Sequence, residues 1–230
     1  MRCSLGTVNR ETRPTAAGDG VGAPGARDGV ASPGTGDGAR ALSSRVLDVR
    51  DAALTLFAER GYHGTTVRDI GSALGIRAPS LYNHIRSKQG LLQEIMLETS
   101  TAVWEEFEAA VSGVEDPEER LRRAMHAYVM RHTTHPREAR IVNRELSSLE
   151  EPARSEVRAL RKRHERAIRS IITDGVAAGS FDLDTPSLGS FAILEMAVSV
   201  AGWFRSDGPL GAEEVAAHYA EFAVRLVRDG

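Results

Sequence analysis

The stretch from Thr65 to Leu92, TTVRDIGSALGIRAPSLYNHIRSKQGLL, constrains this chain more than any other, because its apolar residues recur at helical spacing and break at a glycine-containing turn. Thr65 and Thr66 are N-cap residues for a helix whose inward positions are Val67, Ile70, Ala73 and Leu74, three and four apart as one helix face requires. Gly75 falls where a left-handed residue ends such a helix. Ile76 tucks under the turn, and Pro79 stands near the start of a second helix, where a missing N–H costs nothing. That second helix, Ala78 to Ile85, turns Leu81 and Ile85 inward and leaves Ser80, Tyr82, Asn83 and His84 outward. Two short helices joined this way, the second displaying mostly small polar groups, make a helix-turn-helix whose second helix can enter a major groove.

A two-helix motif has too little apolar surface to fold alone, and the residues upstream supply a brace. From Ser43, a capping serine, a helix is predicted that buries Val46, Val49, Ala53, Leu54, Phe57 and Ala58 and ends at Gly61. From Ser43 to Leu92, Arg45, Arg50, Arg60, Arg68, Arg77, Arg86 and Lys88 stand against Asp48, Asp51, Glu59 and Asp69, in a chain whose formal net charge is -3. The remainder is therefore acidic, and the asymmetry marks one end of the molecule as phosphate-facing.

The order T-V-x-x-I-x-x-A-L-G-I, then S-L-Y-x-H-I, then S-K-x-x-L-L resembles the DNA-binding segment of the TetR family of transcriptional regulators, from Ser43 to Leu92. The resemblance implies that Thr66, Arg77, Ser80, Tyr82, Asn83, His84 and Lys88 face double-stranded operator DNA. Tyr82, His84 and Lys88 are expected to position phosphates, and Ser80, Asn83 and Arg77 to approach base edges. Arg77 departs from the family pattern, since many members carry a small capping hydroxyl there. The resemblance further implies a ligand-responsive repressor. Its expected fold is all-α, an N-terminal three-helix helix-turn-helix domain followed by a C-terminal helical bundle for effector binding and dimerisation.

Downstream, the sequence is punctuated as an all-helical bundle. After Ser87-Lys88 a longer helix runs toward Ser112 with Leu91, Ile95, Leu97, Val103, Trp104 and Phe107 in register, and Asp116-Pro117, His135-Pro136, Glu151-Pro152 and Thr185-Pro186 each open another. Three parts are predicted: an arm over 1–42, a DNA-binding domain over 43–90, and an effector-binding and dimerisation domain over 91–230. The arm is rich in Gly, Ala, Pro, Asp and Arg without apolar periodicity, so it is read as flexible. Its balanced charge argues against a strongly basic DNA tail, and a minor-groove role for Arg40 or Arg45 stays open.

The segment Pro186 to Phe204 is apolar almost all round, with Leu188, Phe191, Leu194 and Val198 on one side and Ile193, Met196, Val200 and Trp203 on another. A helix of this kind is covered on two sides, here by its own bundle and by a second copy. The last helix, Ala212 to Arg228, places Val215, Tyr219, Phe222 and Leu226 on one face, and the two segments together are the expected homodimer interface.

The helices between Glu118 and Phe204 are expected to enclose the cavity for a small hydrophobic or amphipathic effector. Met125, Tyr128, His132, Leu160, His164, Phe191 and Glu195 are its candidate ligand-binding residues, although for His132, His164 and Glu195 a structural hydrogen bond or ion pair is the favoured reading over ligand contact. Arginines from Arg154 to Arg169 spread around their helix. One or two beside a cavity mouth suit phosphates, and the C-terminal half, at Trp203-Phe204-Arg205 to Asp207-Gly208, weakly resembles TetR-type regulators of lipid or steroid catabolism; together these imply an acyl-CoA thioester as the leading effector, against a drug-like molecule sensed by a multidrug-type regulator.

Other classes fit less well. No nucleophile-base pair, phosphate loop or metal set stands out, so neither an enzyme nor a cofactor or metal site is expected; His132-Thr-Thr-His135 lacks a carboxylate and ends at Pro136. A helical adaptor without a ligand is a distant alternative. Cys3 is the one cysteine, the longest apolar run is too short to span a bilayer and contains Glu195, and a cytoplasmic protein without a membrane partner is expected.

Overall fold

Caps and prolines place the helices where local chemistry demands. The computed structural model describes the backbone of residues 35–228 and the side chains of residues 46–228. The arm up to residue 34, with Cys3, and the side chains of Arg40 and Arg45 lie outside the described residues. Among the described residues all regular structure is helical.

Helix α1, Thr35–Arg60, begins upstream of Ser43, so Ser43 is internal to it rather than its cap, and residues 35–42 extend the helix. Val49, Ala53, Leu54, Phe57 and Ala58 are buried as expected, but Val46 is 42% exposed because the first core reaches only to Val49. Helix α2, Val67–Ala73, starts on a capping box: the Thr66 hydroxyl accepts the Asp69 N–H at 3.1 Å, and the Asp69 carboxylate accepts the Thr66 N–H at 2.8 Å. Ile70 is buried there, whereas Ala73 is exposed. Gly71 takes the inner place instead, since a Cβ on it would lie 2.8 Å from the Ile76 carbonyl oxygen folded across the helix. Gly75, at φ 68°, makes the left-handed turn. Helix α3 is shorter than predicted, Ala78–Leu81, with Pro79 in its first turn. The chain stays coiled beyond it, as the Ile85 N–H still reaches the Leu81 carbonyl at 3.2 Å.

Helix α4, Lys88–Val111, is capped by Ser87, and α5, Pro117–Thr134, by Asp116. There follow α6, Pro136–Arg144, a 3-10 turn at Leu146–Ser148, and α7, Ala153–Ala177. The apolar segment read as one helix is two, α8, Pro186–Val198, and α9, Val200–Trp203, interrupted at Ser199, whose hydroxyl bonds back to the Met196 carbonyl at 2.7 Å. Helix α10, Ala212–Arg228, packs chiefly on α5. Its buried face is Val215, Ala216, Ala220, Ala223, Val224 and Val227, because alanines permit close approach. Of the face expected at the dimer interface, Val215 is buried against its own bundle and Phe222 is 47% exposed.

Two apolar cores result. One gathers Leu54, Phe57, Ile70, Leu81, Leu92 and Ile95 beneath the DNA-binding helices, and it also takes Ile141, Val142, Leu149, Ala153 and Val157 from α6, its following loop and the start of α7. The other gathers Met125, Val129, Ile168, Ile171, Ile193, Val200, Val215 and Val224. At about 25 cal/mol per Å² of apolar surface, burial of this kind is the main term holding α6 against α4.

Candidate functional site

The helix-turn-helix presents Arg77, Ser80, Tyr82 and Asn83 to solvent, Tyr82 at 55% exposure. Arg77 occupies the N-cap position of α3 without making a side-chain cap, which leaves its guanidinium free to reach outward. Arg68, Arg77 and Arg86 are exposed and form no ion pair among the described residues, while Arg50 pairs with Glu98 at 2.5 Å and Asp51 with Arg137 at 2.9 Å. The two pairs remove one cation and one anion from the segment, so its positive surplus stands, carried by the free arginines. Thr66 is engaged as a cap, its hydroxyl donating to Asp69 at 2.6 Å, a bond that holds the Asp69 carboxyl below the usual carboxylate range. His84 is half-buried, with Nδ1 enclosed and unpartnered.

Lys88 differs from the other expected phosphate ligands. Its ammonium donates to the carbonyls of Tyr62 at 2.9 Å and Thr65 at 2.7 Å and lies 4.0 Å from the centre of the Tyr62 ring. Two of its three N–H groups hold the loop that leads into α2, and one remains. Partial burial pushes its pKa down, against the raising effect of Glu145.

A cavity of about 610 Å³ opens among α4, α5, α6, α7 and α8. Of the seven candidate ligand residues, Tyr128, His132, Leu160, His164, Phe191 and Glu195 line it. Met125 does not. It is fully buried in the second core, because the cavity stripe on α5 is Tyr128, Arg131, His132 and His135, offset from the Met125 and Val129 stripe. The apolar face predicted for α7 likewise divides along its length: Val157 joins the first core, Leu160 and His164 the cavity, Ile168 and Ile171 the second core. Sequence reading missed Thr99, Ser100 and Val103 on α4 and Ala139, Val142 and Asn143 on α6, and only the stripe containing Arg131 carried a periodic signal.

Aromatic rings form one wall. Tyr128 stacks on His164 with centroids 4.9 Å apart and touches the His132 ring at 4.4 Å, and Phe107 meets His164 edge to face at 5.1 Å. His132 Nδ1 bonds the Tyr128 carbonyl at 2.8 Å, and its pKa, like that of His164, is pushed down by burial, that of His164 to about 4. Burial pushes the Tyr128 hydroxyl up to about 12. All three are neutral near pH 7, so the cavity's charge comes from Arg131, Arg158, Arg161, Lys162 and Arg169 against Glu165 and Glu195. Arg131 pairs with Glu106 and Arg169 with Glu165, whose carboxylate also accepts the Ser190 hydroxyl at 2.9 Å. Arg158, Arg161 and Lys162 line the cavity without an ion pair among the described residues, and burial pushes the Arg161 guanidinium down, with Glu195 and Tyr128 opposing from a distance. Such a cationic wall is prepared for an anion.

A basic helix-turn-helix joined to a helical bundle with a ligand-sized cavity defines a DNA-binding regulator. Two family models match, that of bacterial regulatory proteins of the tetR family over residues 49–95 and a tetracyclin repressor-like C-terminal domain over residues 114–227. The HTH-type transcriptional repressor KstR2 of Mycolicibacterium smegmatis is 32% identical over 184 residues, which cover 77% of this chain and 87% of that protein. The structure of the ketosteroid transcriptional regulator KstR2 of Mycobacterium tuberculosis is similar with a TM-score of 0.76 and 26% identity, covering 80% of this chain and 95% of that one. That of AibR in complex with isovaleryl coenzyme A and operator DNA has a TM-score of 0.69 and 27% identity over 80% and 97% of the two chains. The chain belongs to the TetR family of transcriptional regulators. The family consists of DNA-binding regulators rather than enzymes. Among the described residues no helix is long and apolar enough to cross a membrane.

Proposed function

We propose that this regulator is a dimeric repressor of a near-palindromic operator, released by an amphipathic anionic metabolite of which an acyl-CoA thioester is the type. The observation that carries the effector class is the cavity: an apolar and aromatic lining sized for an acyl or ring group, beside three cations that form no ion pair among the described residues and outnumber the one unpaired carboxylate, Glu195. The forked donors of Arg158 and Arg161 match phosphate oxygens, and the nucleotide part extends outward from the mouth. KstR2 is a repressor by name and AibR was solved with an acyl-CoA and its operator, which supports the same reading for this chain.

In this reading residues 43–90 bind DNA, with Arg77, Ser80 and Asn83 toward base edges and Tyr82, His84 and Lys88 toward phosphates. Residues 91–230 bind effector and dimerise. A second copy covers Leu188, Trp203 and Phe222, large apolar side chains that α8, α9 and α10 leave exposed in one chain. Effector acts by population shift and must bind better to the dimer whose recognition helices are wrongly separated for adjacent grooves.

The test titrates the complex with a duplex selected by the protein from a random pool, using decanoyl-CoA and decanoic acid. Release by the thioester alone, lost on replacing Arg158 and Lys162, supports the proposal. Equal release by the free acid, or by neither, overturns the CoA class and favours a drug-like molecule without phosphates.

A further inference from the structure

We infer that Arg161 is a positioning residue that holds the end of α6, and through it the DNA-binding helices, from inside the effector cavity. The inference rests on the effector reading only for what displaces Arg161; the link itself is geometric. Helix α6 ends at Arg144, so its last carbonyls have no partner within the helix. One of them, that of Val142, accepts the guanidinium of Arg161. Val142 is at once a wall of the cavity and a member of the core beneath the DNA-binding helices.

Just beyond the same turn, the Glu145 carboxylate accepts the N–H of Tyr62 at 3.1 Å and the hydroxyl of Ser148 at 2.7 Å, and Ser148 Oγ stands 3.2 Å from His63 Nε2. The carbonyl of Tyr62 is one of the two gripped by Lys88. Tyr62 is therefore held on one side by the end of α6 and on the other by the start of α4, immediately before the capped start of α2. A path runs from the cavity to the helix-turn-helix: Arg161 bonds the Val142 carbonyl, the last turn of α6 connects Val142 to Glu145, and Glu145 bonds Tyr62.

A carboxylate or phosphate is a stronger partner for a guanidinium than a neutral carbonyl. An anionic effector that draws Arg161 away leaves the Val142 carbonyl orphaned, loosens the last turn of α6 and moves Glu145 with it. Tyr62 then loses its restraint from α6, and the recognition helix loses its fixed attitude. Arg161 thus senses the effector's charge and transmits it, which a cation serving only as a ligand contact would not do.

The experiment contains no effector, so it succeeds or fails separately from the acyl-CoA titration. Arg161→Met is compared with wild type for amide hydrogen exchange and for affinity toward the selected duplex. Expected are faster exchange at Tyr62 and affinity about tenfold weaker, within the usual range of allosteric coupling. Arg161→Lys, which keeps a charged donor, is expected to restore both. Unchanged Tyr62 exchange and unchanged affinity in Arg161→Met overturn the inference, whatever happens within the cavity. If that variant does not fold, Glu145→Ala is read from the other end of the link. Tenfold weaker DNA binding with α7 exchange unaltered supports it, and unaltered binding overturns it.

Discussion

Replacing Lys88 by Met keeps the aliphatic stem and removes only the ammonium, which donates to Tyr62 and Thr65 carbonyls at 2.9 and 2.7 Å and covers the Tyr62 ring at 4.0 Å. A hydrogen bond to a charged group is worth about 1.5–3 kcal/mol net and an exposed cation–π contact about 0.5–1 kcal/mol. The site is half-buried, so water replaces part of what is lost. The expected cost is about 2–3 kcal/mol, equivalent to a fall in Tm of roughly 5–10 °C for a chain of this size. Circular dichroism melts measure it. DNA binding weakens as well, through the displaced loop on every sequence and through the one remaining N–H by at most one phosphate contact, a change of about 0.9 in the slope of log K against log salt. An unchanged Tm accompanied by a full loss of one phosphate contact would show that the ammonium serves DNA alone and refute the clamp.

Three further outcomes are expected. Because the folded protein holds His164 neutral down to about pH 4 while the unfolded chain protonates near pH 6.5, stability falls as pH drops through that window, by about 3 kcal/mol from this residue; denaturant titrations of wild type and His164→Phe at pH 7 and 5 check it, and equal pH dependence in both counts against a buried neutral imidazole. Phe222→Glu should leave a folded monomer of 24.8 kDa by light scattering, because the site is exposed in one chain but an unpaired charge buried between copies costs several kcal/mol; a persistent dimer rejects the interface. A charge at Val200, fully buried within its own chain, tests folding instead. Gly71→Ala drives a Cβ against the Ile76 carbonyl and should cost about 1–3 kcal/mol of stability with weaker DNA binding, and a melt identical to wild type would show that the turn yields freely.

The sequence by itself determined the elements whose causes are local. Capping at Thr66, Ser87 and Asp116, the left-handed Gly75, and prolines at the starts of α3, α5, α6 and α8 act within a few residues, so their signals survive without tertiary context. The outward placement of Ser80, Tyr82 and Asn83, on α3 and the coil that continues it, follows from the same short-range periodicity. Periodicity gives the angle of a helix face but not its neighbour, and there the tertiary structure decided. Met125 and Tyr128 lie close in helical phase, yet one enters a core and the other a cavity, because α7 and α8 stand where they do. Phe222 turns outward because alanines let α10 sit flush on α5 along a different stripe. Lys88 looks like any exposed lysine in a helix start until Tyr62 and Thr65, distant in sequence, bring two carbonyls to it. The link from Arg161 through Val142 and Glu145 to Tyr62 joins residues far apart in the chain, and no sequence period encodes such a path; it exists only because the first core packs α6 on α4 and brings its end to the loop between α1 and α2.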